Sequence, residues 1–128
     1  MKILIVDDKA SIRSAMNRIL NRLGFTDITQ AIDGEEAWYK LRDAWETGPE
    51  HAFDLIMSDL EMPRMSGLEL LDAVRQSSWA KDIPFIMATT VTDRKIILKT
   101  MKLGVQAYII KPFDQSMVEF KLKQAGVL

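Results

Sequence analysis

Four short apolar runs constrain the fold of this chain more than any other feature of its sequence. They have the length of strands, and they lie at Ile3–Val6, Phe53–Met57, Phe85–Ala88 and Tyr108–Ile110. None of them alternates cleanly with polar residues, which is typical of strands buried on both faces of a parallel sheet. A fifth, weaker run at Asp27–Ala31 is polar enough for an edge strand.

Helical periodicity separates these predicted strands. Five helical patterns begin near Ile12, after Asp33-Gly34, at Ser66, near Asp93 and at Asp114. The first is placed to end at Gly24, and Ser66 with Glu69 forms a capping-box pattern at the start of the third. A β-α order repeated five times folds through right-handed crossovers into a doubly wound α/β sheet with helices on both faces.

Composition limits the classes of function that the chain can serve. Its 128 residues suit a single domain, predicted to span residues 1–128. A net charge of -1 provides no basic field for direct nucleic-acid binding, and the absence of cysteine excludes thiolate metal sites and disulfides. No apolar run is long enough for a signal peptide or for membrane insertion. We therefore expect a cytoplasmic domain.

Polar side chains collect where the predicted strands end. They are Asp7 and Asp8 after the first strand, Asp59 after the third, Thr89 and Thr90 after the fourth, and Lys111 after the fifth. Each alone has a simpler interpretation, such as a helix cap for Asp7 or Asp8 and a turn residue for Asp59. Ligands of open α/β sheets, however, bind outside the carboxyl ends of the strands. Their shared location therefore favours one site.

Three neighbouring carboxylates would repel one another unless a cation lies between them. Oxygen ligands without histidine or cysteine suit a hard ion, which predicts Mg²⁺, with Mn²⁺ as a substitute. A divalent ion would also let one carboxylate act as a nucleophile toward phosphorus. Lys111 would supply a fixed positive charge, and Thr89 a hydroxyl for a phosphoryl oxygen. The residues thus indicate phosphoryl transfer.

The chain resembles the receiver domain of two-component response regulators, and most closely the stand-alone chemotaxis receivers, from Lys2 to about Ala125. The motifs that carry the resemblance are Val6-Asp7-Asp8, the segment from Asp59 to Gly67, Thr89, and the segment from Tyr108 to Phe113. The resemblance implies a flavodoxin-like, five-stranded sheet with strand order 2-1-3-4-5. It also implies a phosphorelay switch rather than a turnover enzyme.

By this resemblance, Asp59 is the phosphoacceptor. Asp8 and Asp59 would bind Mg²⁺ directly, the backbone carbonyl of Glu61 would add a third protein ligand, and Asp7 would act largely through water. The phosphodonor would be a histidine kinase or a small acyl phosphate.

The resemblance also implies how the switch operates. Thr89 and Lys111 would hold the phosphoryl oxygens, with a cis peptide bond before Pro112. Thr89 would move toward the phosphate and Tyr108 would swing inward, altering the surface made by the fourth helix, fifth strand and fifth helix. That surface would bind a flagellar motor protein or another effector. We expect a monomer, with dimerisation on phosphorylation as an alternative.

Some positions depart from the commonest family pattern. Thr90 stands where Ala or Gly is usual at the entrance to the site, and Leu60 replaces a tryptophan of the close chemotaxis relatives. Glu61 and Val91 occupy positions thought to tune the lifetime of the phosphate. We therefore expect a lifetime different from that of the chemotaxis protein, of undetermined sign.

Two alternatives to a stand-alone switch remain open on sequence grounds, and a third fails. The chain could be the regulatory part of a longer response regulator, although Tyr108, Thr92 and Lys121 resemble the motor-binding face. An aspartate-based phosphohydrolase would place a second acid two residues after its nucleophile, as Glu61 does here. A flavin carrier of the same fold is disfavoured because Asp7 and Asp8 would repel its phosphate.

Overall fold

The computed structural model of the protein describes residues 1–128. Five strands form one parallel sheet; they are β1 (Lys2–Val6), β2 (Asp27–Ala31), β3 (Leu55–Ser58), β4 (Phe85–Thr89) and β5 (Ala107–Ile110). Five α-helices follow them in turn; they are α1 (Ala10–Arg22), α2 (Gly34–Thr47), α3 (Gly67–Gln76), α4 (Arg94–Lys102) and α5 (Gln115–Gln124). A short 3-10 helix, Pro49–His51, lies before β3. The strand order is β2-β1-β3-β4-β5, which confirms the predicted class and order.

The third strand differs most from its predicted bounds, because β3 begins at Leu55 rather than at Phe53. Phe53 is buried but precedes the strand, so its hydrophobicity alone did not separate it from the strand residues. Between them, the Asp54 carboxylate accepts a hydrogen bond from the backbone N–H of Lys2 at 2.7 Å. Asp54 therefore fastens the start of β1 to the chain just before β3.

Side-chain caps fix where most of the helices begin, as the sequence predicted for α3. Ser66 accepts from the Glu69 amide and the Glu69 side chain accepts in return from the Ser66 amide, which forms a capping box. Aspartates cap three other helices; they are Asp33 for α2, Asp93 for α4 and Asp114 for α5. None of the helices combines the length and the apolarity that crossing a bilayer requires.

The sheet separates two apolar layers. On one face, α1 and α5 cover the sheet with side chains such as Leu20 and Leu122. On the other, α2, α3 and α4 cover it, with Leu41 and Leu70 among the buried residues. Because both faces are covered by helices, the carboxyl edge of the sheet is where polar side chains can gather.

Arg75, near the end of α3, joins three parts of the chain that are far apart in sequence. Its guanidinium donates to the carbonyls of Lys81 at 3.0 Å and Ile83 at 2.8 Å, in the connection to β4. It also donates to the Gly104 carbonyl at 2.8 Å and to the Gln106 side chain at 2.9 Å, in the turn between α4 and β5. Arg75 thus ties the end of α4 to α3 and β4.

Replacing Arg75 with alanine is expected to lower the free energy of unfolding by about 3 kcal/mol, because the half-buried carbonyls of Ile83 and Gly104 lose charge-assisted hydrogen bonds. Arg42→Ala is the control, since the Arg42 guanidinium makes a single 4.0 Å contact with exposed Glu46. Its expected effect is about 0.5 kcal/mol or less. Chemical denaturation measures the free energy of unfolding of both variants. Equal losses would show that the hydrogen bonds of Arg75 do not stabilise the fold.

Candidate functional site

Three carboxylates come together at the carboxyl edge of the sheet. Asp7 and Asp8 follow β1, Asp59 follows β3, and one oxygen of each lies within 4.8 Å of the others. The register of neighbouring strands creates this arrangement, because Val6 pairs with Ser58 and the Asp59 amide donates to the Val6 carbonyl at 2.9 Å. Asp7 and Asp59 are buried, whereas Asp8 is exposed.

The ammonium group of Lys111 lies against two of these carboxylates. Its Nζ is 2.6 Å from Asp7 Oδ2 and 3.3 Å from Asp59 Oδ2. All three side chains are less than a tenth exposed, since their exposed fractions are 7%, 3% and 9% for Lys111, Asp7 and Asp59. The backbone N–H of Lys111 donates to the Thr89 carbonyl at 2.9 Å and thereby continues the ladder between β4 and β5. The peptide bond from Lys111 to Pro112 is cis, as the resemblance implied.

The three carboxylates differ in how many hydrogen bonds their oxygens already accept from the protein. One oxygen of Asp7 accepts from the Lys9 amide at 2.9 Å and the other accepts from Lys111. Asp59 accepts from the Leu60 amide at 2.7 Å. The carboxylate of Asp8 accepts no hydrogen bond within the protein and faces solvent. Asp8 therefore has the most oxygen capacity left for a ligand.

This donor set fits a hard divalent cation. The three carboxylates have only one ammonium beside them, so they still repel one another. A bound cation would relieve this repulsion. The cluster offers oxygen atoms and neither histidine nor cysteine, which favours Mg²⁺ over softer metals. The Glu61 carbonyl, two residues after Asp59, accepts no hydrogen bond from the protein and is available as a further oxygen ligand.

Thr89 and Tyr108 both form hydrogen bonds with the backbone of Val91, in the connection between β4 and α4. The Thr89 hydroxyl is buried and accepts from the Val91 amide at 3.3 Å, while the phenol of Tyr108 donates to the Val91 carbonyl at 2.8 Å. Burial raises the pKa of Tyr108, and the negative charges of Asp59 and Glu61 raise it further. The half-buried Tyr108 ring is thus within the electrostatic reach of the acidic cluster.

The positions that depart from the family pattern adjoin site residues along the chain, because Leu60 and Glu61 follow Asp59, and Thr90 and Val91 follow Thr89. Thr90 is exposed, Val91 is half-buried and Glu61 is exposed, so the side chains of all three are close to or at the solvent boundary. Leu60 is buried and belongs to the apolar cluster beneath α2 and α3. The three tryptophans are elsewhere: Trp79 contacts both Trp38 and Trp45 of α2, with ring centroids 5.4 and 6.1 Å apart.

Sequence reasoning missed two residues next to the site. Arg13 of α1 donates to the Asp7 carbonyl at 2.8 Å, and nothing in the sequence distinguished it from Arg18 and Arg22 of the same helix. Gly67 approaches Asp59 so closely that a Cβ built on it would overlap the Asp59 carbonyl oxygen and lie 2.9 Å from Leu60 Cα. A glycine ending the segment that begins at Asp59 was the available signal.

Comparison with known proteins agrees with this geometry. Residues 3–123 match the family model described as the response regulator receiver domain. The chain is 38% identical over 123 residues to the chemotaxis protein CheY1 of Helicobacter pylori, covering 96% of this chain and 94% of that protein. It is 34% identical to the chemotaxis protein CheY4 of Vibrio cholerae, whose crystal structure superposes with a TM-score of 0.84 over 97% of both chains.

A second structural neighbour was crystallised in a complex. The crystal structure of the CheX–CheY–BeF3–Mg²⁺ complex of Borrelia burgdorferi superposes with a TM-score of 0.88 and 26% identity, covering all of this chain (100%) and 90% of that one. The family match spans nearly the whole chain and coincides with the sheet whose edge carries the acids. The protein is therefore a member of the response regulator receiver family and is similar to chemotaxis receivers.

Proposed function

We propose that this protein is a Mg²⁺-dependent phosphoacceptor in which Asp59 takes a phosphoryl group from a histidine kinase or a small acyl phosphate. One observation carries the proposal: the buried ammonium of Lys111 contacts Asp7 and Asp59, while Asp8 remains exposed beside them. A receiver of the chemotaxis type has a signalling role rather than the role of a turnover enzyme. We further propose that residues 1–128 form one receiver domain.

The chemistry follows from how each side chain is held. An oxygen of Asp59 forms a bond to phosphorus, and the donor's leaving group departs with the electron pair of the broken bond. The hydrogen bond from the Leu60 amide holds the Asp59 carboxylate in one orientation before the reaction. Lys111 and Thr89 would then bind the phosphoryl oxygens. Asp8, Asp59 and the Glu61 carbonyl would hold Mg²⁺, which would neutralise negative charge at the carboxylates and the phosphoryl group.

The output surface in this proposal consists of α4, β5 and α5. Four of its large apolar side chains are exposed, Leu98 and Met101 on α4 and Met117 and Phe120 on α5. Exposed apolar groups of this kind suit a protein partner. The hydrogen bond from Tyr108 of β5 to the chain before α4 links that surface to the acidic edge. The resemblance to chemotaxis receivers implies a flagellar motor protein as the partner, with another effector as the alternative; the Borrelia burgdorferi neighbour was crystallised with CheX.

Intact-mass spectrometry tests the proposed function. The purified protein is incubated with an acyl phosphate in Mg²⁺ or in a chelator. The expected result is one added phosphoryl group per chain with Mg²⁺ and little labelling with the chelator, because the carboxylates then lack a bound counter-ion. An unlabelled protein in Mg²⁺ would contradict the proposal. Rapid multiple turnover of simple phosphate esters would also contradict it and indicate a hydrolase.

A further inference from the structure

The segment between the acceptor and α3 is held by few polar contacts. Its ends are fixed, because the Asp59 carboxylate accepts from the Leu60 amide and the Gly67 amide donates to the Leu60 carbonyl at 2.9 Å. Between these ends, residues 61–64 make no backbone hydrogen bond within the protein. This stretch includes Glu61, whose carbonyl is a proposed metal ligand.

One side chain of that stretch reaches across to another loop. Arg64 donates to the carboxylate of Asp33 through Nε at 2.7 Å and also through Nη2. Its backbone φ is +66°, and it is the only residue other than glycine with a positive φ. A left-handed conformation is unfavourable for arginine, so the surrounding contacts must hold it there. The charge-assisted ion pair, in which both nitrogens donate to Asp33 Oδ2, is the contact best placed to do so.

Asp33 offers Arg64 a rigid partner. Its carboxylate is 1% exposed and also caps α2 by accepting from the Glu36 amide at 2.8 Å. Burial alone would raise the pKa of Asp33, but the Glu36 amide and the Arg64 guanidinium outweigh burial and hold that pKa below its usual value. The neighbouring Gly34 amide donates to the Met65 carbonyl at 3.0 Å. The start of α2 is thus a fixed support for the segment.

We propose that Arg64 is a positioning residue of the phosphorylation site. Its ion pair with Asp33 holds residues 61–64 in one conformation and thereby fixes where the Glu61 carbonyl stands relative to Asp59. The inference rests on the proposed function, because it assigns Arg64 to the same Mg²⁺ site. Residues that support metal ligands in this way typically change metal affinity about 10- to 100-fold when they are replaced.

Two variants remove the ion pair from opposite sides. Arg64→Ala removes the guanidinium, whereas Asp33→Asn removes the charge but retains an oxygen that can cap α2. We expect each to weaken Mg²⁺ binding about tenfold, measured by calorimetry, and to speed amide hydrogen exchange of residues 61–64 in the absence of metal. Arg64→Lys should recover part of the affinity, because lysine retains the charge but offers Asp33 one nitrogen donor instead of two.

Arg42→Ala is the matched control, because Arg42 lines the same surface cleft beside Arg64 without contacting Asp33. It should leave Mg²⁺ affinity and exchange unchanged. The Mg²⁺ affinity of the double variant Arg64→Ala/Asp33→Asn should equal that of the single variant with the lower affinity. Both substitutions act through the same ion pair, so their effects should not add. Thermal unfolding identifies a variant that fails to fold, in which case Arg64→Lys and Asp33→Asn carry the test.

Wild-type Mg²⁺ affinity in both Arg64→Ala and Asp33→Asn, with unchanged exchange at residues 61–64, would overturn the inference. Independent, additive losses in the double variant would also overturn it, because the two residues would then not act through their ion pair. These failures differ from failure of the proposed function, in which the wild type itself would accept no phosphoryl group.

Discussion

Replacing Lys111 with methionine is expected to slow phosphorylation of Asp59 by about 100- to 1000-fold, which is the usual cost of losing one preorganised donor to a developing charge. The same change is expected to strengthen Mg²⁺ binding. The ammonium of Lys111 lies 2.6 Å from Asp7 and 3.3 Å from Asp59, so it neutralises the same carboxylates that a metal would neutralise. Without Lys111, the three acids have no fixed cation and attract Mg²⁺ more strongly.

A slower phosphorylation rate combined with a higher Mg²⁺ affinity distinguishes Lys111 from a residue that only stabilises the fold. The labelling rate with an acyl phosphate gives the first quantity, and calorimetric titration with Mg²⁺ gives the second. Lys9→Met is the control, because Lys9 is an exposed lysine two residues from Asp7 and its replacement changes the net charge equally. A Lys111→Met variant that is labelled as fast as the wild type, or that binds Mg²⁺ more weakly, would show that the ammonium has another role.

Gly67→Ala is expected to lower the free energy of unfolding by about 3 kcal/mol, at the upper end of the usual cost of overpacking. It should also slow labelling of Asp59. A Cβ on Gly67 would overlap the Asp59 carbonyl oxygen, and its other near neighbours are the Asp59 carbonyl carbon and Leu60 Cα, each 2.9 Å away. These atoms are backbone and cannot rotate aside, so the acceptor itself must shift.

The control for this variant is Gly24→Ala. Gly24 has a φ of +99°, but a Cβ added to it would have no heavy atom within 4 Å, so the substitution tests backbone strain without steric overlap. Gly24→Ala should lower the free energy of unfolding by about 1 kcal/mol and leave the labelling rate of Asp59 unchanged. Denaturant unfolding and labelling kinetics measure both. If Gly67→Ala were as stable as Gly24→Ala and equally well labelled, the close approach at Asp59 would have no functional consequence.

Much of the fold could be predicted because strand and helix periodicities are local. The capping box of Ser66 and Glu69 is formed as expected, and the polar run at Asp27–Ala31 is an edge strand. The predicted start of β3 was wrong by two residues, because Phe53 is as apolar as a strand residue. Burial of Phe53 comes from tertiary packing, which a local pattern does not distinguish from burial in a sheet.

Placement of the acids and Lys111 at one edge could also be predicted, since carboxyl ends of parallel strands meet there. The partners of individual side chains could not. Arg64 and Asp33 are 31 residues apart, and arginine is not a residue whose identity indicates a left-handed backbone. Arg75 likewise bonds to a turn 29 residues away, at Gly104. Such contacts depend on the packed arrangement of helices rather than on spacing along the chain.

Chemical mapping of the labelled residue tests the central claim most directly. The protein is incubated with an acyl phosphate and Mg²⁺, and borohydride then reduces any aspartyl phosphate to homoserine, which peptide mass spectrometry locates. The proposed chemistry predicts conversion at Asp59 alone in the wild type and none in Asp59→Asn. Conversion at Asp7 or Asp8 in the wild type, or undiminished phosphoryl labelling of Asp59→Asn, would contradict the assignment of Asp59 as the phosphoacceptor.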